Sequence, residues 1–143
     1  MIPLRDATEA DLPRLALILG DWNRDTAWMP KLHSPEEDLG FLRHLFERGT
    51  IRVSGDPPLA FLARHGGEVD ALYVCPSARR QGLGRALMEE AMAAEPHLML
   101  WTFQANAEAR AAYAALGFEE VEFGDGSWNE EHLPDVCLEW RRE

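Results

Sequence analysis

Two cysteines, at positions 75 and 137, are all the thiol chemistry the sequence holds. They are too few and too far apart for a disulfide framework, and a reduced protein is expected. No apolar run approaches the ~20 residues a membrane-spanning helix needs; residues 15–19 form one that is far too short. Met1, Ile2, Pro3, Leu4 and Arg5 lack the basic and apolar regions of a signal peptide, so a cytoplasmic location is expected. The five histidines have no metal-ligand spacing, and no metal is expected. There is no internal repeat and no sign of a second domain across residues 1–143. Positive charge is scarce: 14 Lys and Arg face 25 Asp and Glu, a net charge of −11 at pH 7. That balance argues against nucleic-acid and anionic-membrane partners and favours a cationic one. With 46% hydrophobic residues in 143, the chain suits one globular domain with a sizeable core.

What the sequence does have is concentrated between residues 71 and 88. An apolar strand pattern at 71–74 stops before Pro76, a polar, glycine-containing stretch follows, and a helical pattern opens near Leu83. The first N–H groups of a helix have no intrahelical partners, and the helix dipole makes that end partly positive. A strand, a glycine loop and a helix start therefore make an anion cradle. Gly82 and Gly84 keep side chains out of its way, while Arg79, Arg80 and Arg85 add positive charge in an otherwise acidic chain. The ligand expected is a phosphate-bearing cofactor.

Spacing narrows the choice. A dinucleotide fingerprint needs a third Gly or Ala where Leu87 stands, and a P-loop needs Lys-Ser/Thr where Arg85-Ala86 stands. Arg79-x-x-Gly82-x-Gly84 instead resembles the Q/R-x-x-G-x-G/A pyrophosphate loop of the GNAT superfamily of acyl-CoA-dependent N-acetyltransferases. A second segment, Asn106-x-x-Ala109-Arg110-x-x-Tyr113-x-x-x-Gly117-Phe118, resembles that family's helix beside the pantetheine arm and thiol. The resemblance implies an α/β (α+β) fold with a mixed, mostly antiparallel sheet of six or seven strands and about four helices. It implies acetyl-CoA as acyl donor, bound by Leu72, Tyr73, Val74, Arg79, Arg80, Gln81, Gly82, Leu83, Gly84, Arg85, Asn106 and Tyr113.

Local patterns agree with such a fold. A weak first strand at 2–5 precedes a helix capped by Asp11, with Pro13 in its first turn and Gly20 as its end. Residues 21–35 form the least regular stretch. Ser34 caps a second helix, with Pro35 at its first position and Glu37 completing a capping box, running to about Arg48. Three strands at 51–53, 59–64 and 68–74 are joined by tight turns and form an antiparallel meander. A helix from Leu83 and a strand at 98–103 complete a strand–helix–strand unit, which makes 68–74 and 98–103 parallel. Asn106 caps the last helix, Gly117 ends it, and strands at 118–123 and 136–140 close the chain.

Acyl transfer from a thioester to an amine needs a neutral amine, a stabilised oxyanion and a proton for the leaving thiolate. The resemblance implies a splay between the two parallel strands and a polarising backbone N–H around Leu72. It also makes Tyr113 the general acid, since a phenol of pKa about 10 stays protonated at neutral pH. The base is open among Glu68 and Asp70, which alternate with Leu72, the carboxylates Asp125, Glu130 and Glu131, and a chain of waters. Cys75 lacks a tied histidine and reads as an inert thiol at a strand end.

For the acceptor side, Trp22 and Trp28 with Asp125, Glu130 and Glu131 combine aromatic faces and negative charge, which suits a cation. The activity expected is transfer of acetyl to a primary amine of a small cationic acceptor, polyamine-like or a basic peptide, with self-association into a homodimer left open. The rivals are a non-catalytic acyl-CoA-binding or sensing module on the same fold and a nucleotide-binding domain.

Overall fold

The computed structural model describes residues 2–143. The strands are β1 (Leu4–Asp6), β2 (Thr50–Ser54), β3 (Ala60–His65), β4 (Glu68–Val74), β5 (His97–Phe103), β6 (Glu119–Gly124) and β7 (Asp135–Arg141). The helices are α1 (Leu12–Asp25), α2 (Pro35–Arg48), α3 (Leu83–Ala94) and α4 (Ala107–Ala115), with short 3-10 turns at Glu9–Asp11 and Pro76–Ala78. The strands form one sheet in the order β1-β2-β3-β4-β5-β7-β6. Every neighbouring pair is antiparallel except β4 and β5, as the strand–helix–strand pattern requires.

Side chains alternate across the sheet, and the alternation assigns the helices to its faces. On β2, Arg52 reaches Glu90 of α3 at 2.8 Å, while its neighbours Ile51 and Val53 are buried on the other side. That other side carries α1 and α2, and there Tyr73 of β4 meets Trp22 of α1. The fully buried Phe61, Leu12, Leu15, Ile18 and Leu42 fill this layer, and Leu87 and Met88 of α3 fill the opposite one.

Two of the three predicted helix N-caps act as read; Asp11 stands before α1 but makes no cap bond to it, because its carboxylate is taken by Arg5 and the Thr8 N–H. The Ser34 side chain accepts from the Glu37 N–H at 3.2 Å, and the Glu37 carboxylate accepts from the Ser34 N–H at 3.0 Å. Asn106 accepts from the Ala109 N–H at 3.1 Å. Gly117 sits at φ +100°, with Phe118 N–H donating to the Tyr113 carbonyl and Gly117 N–H to that of Ala114, both at 3.0 Å. This is a Schellman ending, and its apolar contact is the Tyr113–Phe118 ring pair at 5.6 Å.

The structure corrects one boundary. Gly20 does not end α1, which continues to Asp25, so Trp22 stands on a helix rather than in an irregular stretch. Gly20 is buried where α1 crosses α2. A Cβ there would lie 3.3 Å from Asp38 Oδ2 and 3.2 Å from Arg24 Nη1. The glycine serves a close approach, and one glycine costs a helix only about 1 kcal/mol when packing holds it.

Candidate active site

β4 and β5 are partners in name for one residue pair. Glu68 is in register with Met99, whose N–H donates to the Gly67 carbonyl at 2.8 Å. Beyond that point the strands part. β5 stays fully paired with β7 on its other edge and β4 with β3 on its own, so neither can bend to close the gap. The result is a cleft of about 870 Å³ through the sheet, lined by residues 69–74 of β4 and 100–103 of β5. The β4 edge that faces it keeps unpaired N–H and C=O groups, which an extended ligand can bind as a strand would.

At one end of the cleft lies the loop before α3. Gly82, the N-cap of α3, has φ +78°, and Arg80 just before it has φ +65°. A Cβ on Gly82 would touch nothing within 4 Å, so its need is conformational, whereas one on Gly84 would make an ordinary 3.5 Å contact with Val74. No side chain caps α3, which leaves its first N–H groups free for a ligand. Arg79 and Arg80 are exposed and, among the described residues, have no carboxylate partner, while Arg85 pairs with Glu89 at 3.3 Å. An unshielded arginine pair beside orphaned amides fits a pyrophosphate group. Arg79, Arg80, Gly82, Leu83, Gly84 and Arg85 line the cleft; Gln81 is exposed and does not.

The side wall of the cleft is α4. None of its residues is buried, and its inner face, Ala109, Ala112 and Tyr113, lies along the cleft with Asn106. Small side chains there leave room for an apolar arm. The Tyr113 hydroxyl has no hydrogen-bond partner among the described residues, and burial pushes its pKa up to about 12. The phenol therefore remains a proton donor across the usable pH range.

On the α1–α2 side, aromatic rings bridge the gap between the parting strands. Phe61 and Tyr73 (5.7 Å), Tyr73 and Trp22 (5.5 Å), Trp22 and Trp28 (5.9 Å) and Trp28 and Phe103 (5.8 Å) form a chain from β3 to β5. Trp22 and Trp28 line the cleft, together with Asp25 and Phe103. Burial holds the Tyr73 phenol well above the usual tyrosine range, with smaller contributions from Tyr113, Glu131 and Asp38.

The candidate carboxylates separate by position. Glu68 lies outside the cleft, 3.4 Å from Arg48 Nη2 and 2.8 Å from His65 Nε2. Asp70 borders it but is held by Arg48 and His65, each at 2.9 Å. A bulge between Ala63 and Arg64 breaks the alternation that put these acids in line with Leu72. His65, Glu68 and Asp70 also bring three ligand-type atoms within 4.8 Å, a grouping their sequence spacing did not suggest, but the Arg48 guanidinium already occupies the place a cation would take. Asp125 is exposed, accepts from the Ser127 N–H at 2.9 Å and does not line the cleft. Glu130 is hydrogen-bonded to His33 across the two loops on the acceptor side. Glu131 is half-buried, and its charge is felt at Tyr73. Cys75 contacts Ser77 and Arg14, and no histidine.

Two residues were missed by the sequence reading. Phe103 read as the end of a strand. Asp38 drew no reading, yet its spacing with Leu42 and Leu45 puts it on the buried stripe of α2, a signal that was available.

The sequence profile of the Acetyltransferase (GNAT) family matches residues 6–118, which include the splay, the loop before α3 and Tyr113. The chain belongs to this family. It is an N-acetyltransferase that draws its acyl group from acetyl-CoA, and the nucleotide-binding and non-catalytic readings fall away. Over 96% of its length and 95% of the relative's, it is 41% identical to the peptidyl-lysine N-acetyltransferase YiaC of Escherichia coli strain K12. Its fold matches the solution structure of apo YjaB from Escherichia coli with a TM-score of 0.80 at 22% identity, covering 100% of this chain and 99% of that one. YncA of Salmonella typhimurium, solved with acetyl-CoA, matches with a TM-score of 0.74 at 17% identity over 100% and 95% of the two chains. No helix among the described residues is long and apolar enough to cross a membrane.

Proposed function

We propose that this GNAT enzyme acetylates the ε-amine of lysine in a peptide or protein chain. The observation that carries the acceptor is the near full-length 41% identity to a relative named as a peptidyl-lysine N-acetyltransferase. A cleft open through the sheet supports it: the donor enters past the loop before α3, and a long flexible amine can reach the same point from the aromatic side. Lysine adds one positive charge on an apolar stem, which suits a wall of Trp22, Trp28 and Phe103 ending beside carboxylates. The sequence-based expectation of a small cationic amine thus becomes a lysine side chain on a larger body.

In this reading the pyrophosphate sits on the α3 amides with Arg79 and Arg80, and the pantetheine arm pairs with the open β4 edge. An N–H of that edge, near Leu72, polarises the thioester carbonyl and holds the oxyanion after attack. Tyr113 donates a hydrogen bond and then a proton to the leaving sulfur. A phenol pushed to about 12 is a poor acid toward a solvated thiolate of pKa about 8.5. The cleft reduces that mismatch by desolvating the thiolate as well, as burial, with added repulsion from Glu139, Glu122, Asp135 and Glu68, raises the Cys137 thiol of this protein to about 11.

The test is a panel of acceptors with acetyl-CoA: an Nα-blocked lysine peptide, a lysine-free peptide with a free N-terminus, a polyamine and an arylamine. The lysine peptide should show the highest kcat/KM, with the acetyl group on the side chain by mass spectrometry. A preference for the free N-terminus or for the polyamine would overturn the lysine assignment.

A further inference from the structure

Alternation along the strands fixes which side chains share a face of the sheet, and half of one face is uncovered. α1 and α2 pack on β2, β3 and β4, on the side of Tyr73. Beyond the splay, that side carries Met99, Trp101 and Phe103 of β5, since Glu68 is in register with Met99 and Phe103 meets Trp28. The β5–β7 and β7–β6 registers set Met99 in a row with Glu139 and Glu119, and Trp101 in a row with Cys137 and Glu122. Trp101 is 45% exposed, Glu119 and Glu122 are exposed, and Glu139 is half-buried. Cys137 lies beneath these side chains. Burial raises its pKa first, and the charges of Glu139, Glu122, Asp135 and Glu68 raise it further.

This half of the face is short of cations. His97 approaches Glu139 at 3.4 Å, and Arg141 stands beside His97 at the end away from the cleft. Asn129 donates to Asp135 at 3.4 Å, and Arg48 holds Glu68 on β4. Glu119 and Glu122 have no cationic partner among the described residues. Glu119 and Glu139 stand directly opposite on paired strands, and like charges so placed destabilise a sheet. A cation seated over them removes that cost. Trp101 lines the cleft as well as this face, so the surface is continuous with the acceptor side of the site. Its ring is a flat apolar platform on which a guanidinium stacks. Two strand spacings separate Trp101 from Glu122, about 10 Å, or roughly three residues of extended chain. A second copy of this chain would bring the same carboxylates face to face, which opposes a two-fold contact here. We propose that this half of the face docks an arginine- or lysine-rich segment next to the acceptor lysine, with Trp101 stacking on one cationic side chain and Glu119, Glu122 and Glu139 receiving the next. That the acceptor is a lysine rests on the reading above; that its neighbours are basic rests on the face.

The experiment compares two Nα-blocked peptides with one lysine each and either arginine or glutamate at the third position on both sides of it. In wild type at low salt, kcat/KM should be at least tenfold higher for the arginine peptide. The difference should lie in KM and should shrink in molar salt. In Glu119→Gln/Glu122→Gln the preference should fall below threefold, while kcat/KM for Nα-acetyl-lysine amide, which has no flanking residues, stays within twofold of wild type. Glu36→Gln/Glu47→Gln, on the exposed side of α2, makes the same change of net charge and should keep the full preference. Equal kcat/KM for the two peptides in wild type would overturn the proposal. So would an equal loss in the α2 variant, which would make the preference one of net charge. Failure of the lysine reading is seen separately, as an enzyme that acetylates neither peptide on its side chain. Docking is then decided by calorimetry with an Nα-acetylated, lysine-free arginine peptide, whose Kd should rise at least fivefold in Glu119→Gln/Glu122→Gln. No binding to wild type, or the same Kd in both proteins, would overturn it. A wild-type dimer that this double substitution dissociates would overturn it too, and give the face to a second copy.

Discussion

At the scale of single residues, the site separates groups set by conformation from groups set by chemistry. Gly82 is needed for its φ of +78°, which a β-branched side chain cannot adopt without strain, and Gly84 is not. Gly82→Val should therefore weaken acetyl-CoA binding at least tenfold, roughly 1.4 kcal/mol by calorimetry, while Gly84→Ala should change it less than threefold. Equal effects from the two would mean that the loop is not read by its backbone. Tyr113 is a matter of chemistry. Tyr113→Phe keeps the ring against Phe118 and should leave acetyl-CoA affinity within twofold while kcat falls about 10²–10⁴-fold. Because burial raises this phenol to about 12, wild-type kcat should show no descending limb from its ionisation below about pH 10. A fall in kcat of less than threefold for Tyr113→Phe, with chemistry rate-limiting, would assign the proton to water.

At the scale of elements, what was legible in the sequence was local. Ser34, Pro35 and Glu37 announce α2, and Asn106, Gly117 and Phe118 frame α4, because each cap is closed by residues within a few positions of it. The parallel pair β4 and β5 was legible because a helix lies between them. The stop of α1 at Gly20 was misread because the reason for that glycine, the Asp38 carboxylate on α2, is 18 residues away in sequence. The alternation of Glu68, Asp70 and Leu72 failed for the same kind of reason, a bulge opposite Ala63 and Arg64 that only the β3 register reveals. The start of α1 carries a further test. Asp11 accepts from Arg5 at 2.8 and 3.1 Å and from the Thr8 N–H at 2.8 Å, and these bonds, Arg5 first, hold its carboxyl down at about 2. A folded pKa below the unfolded value gives stability that is full above about pH 4 and lost as pH falls toward 2. Since Arg5 is one-third exposed, the pair is worth about 1–2 kcal/mol after screening. Urea melts of Asp11→Asn should lie below wild type by that amount at pH 7, and the gap should close as pH approaches 2. A gap constant with pH would mean that the charge on Asp11 contributes nothing.

At the scale of the whole molecule, the sheet is interrupted where the chemistry belongs. Three antiparallel strand pairs fix β4 from one side and two fix β5 from the other, so the break between them is held open by the fold rather than by the ligand. The cradle, the α4 wall and the aromatic chain all border that break, and Arg79 and Arg80 stand exposed beside it with no carboxylate partner among the described residues. In the proposed reading acetyl-CoA lies along the open edge of β4. Amide-resolved hydrogen exchange with and without acetyl-CoA tests it most directly. N–H groups of residues 70–74 directed at β5 should exchange freely alone and become protected at least tenfold with acetyl-CoA, while those paired to β3 should be slow in both. Unchanged exchange along 70–74, in a sample where acetyl-CoA binding is saturated, would contradict it.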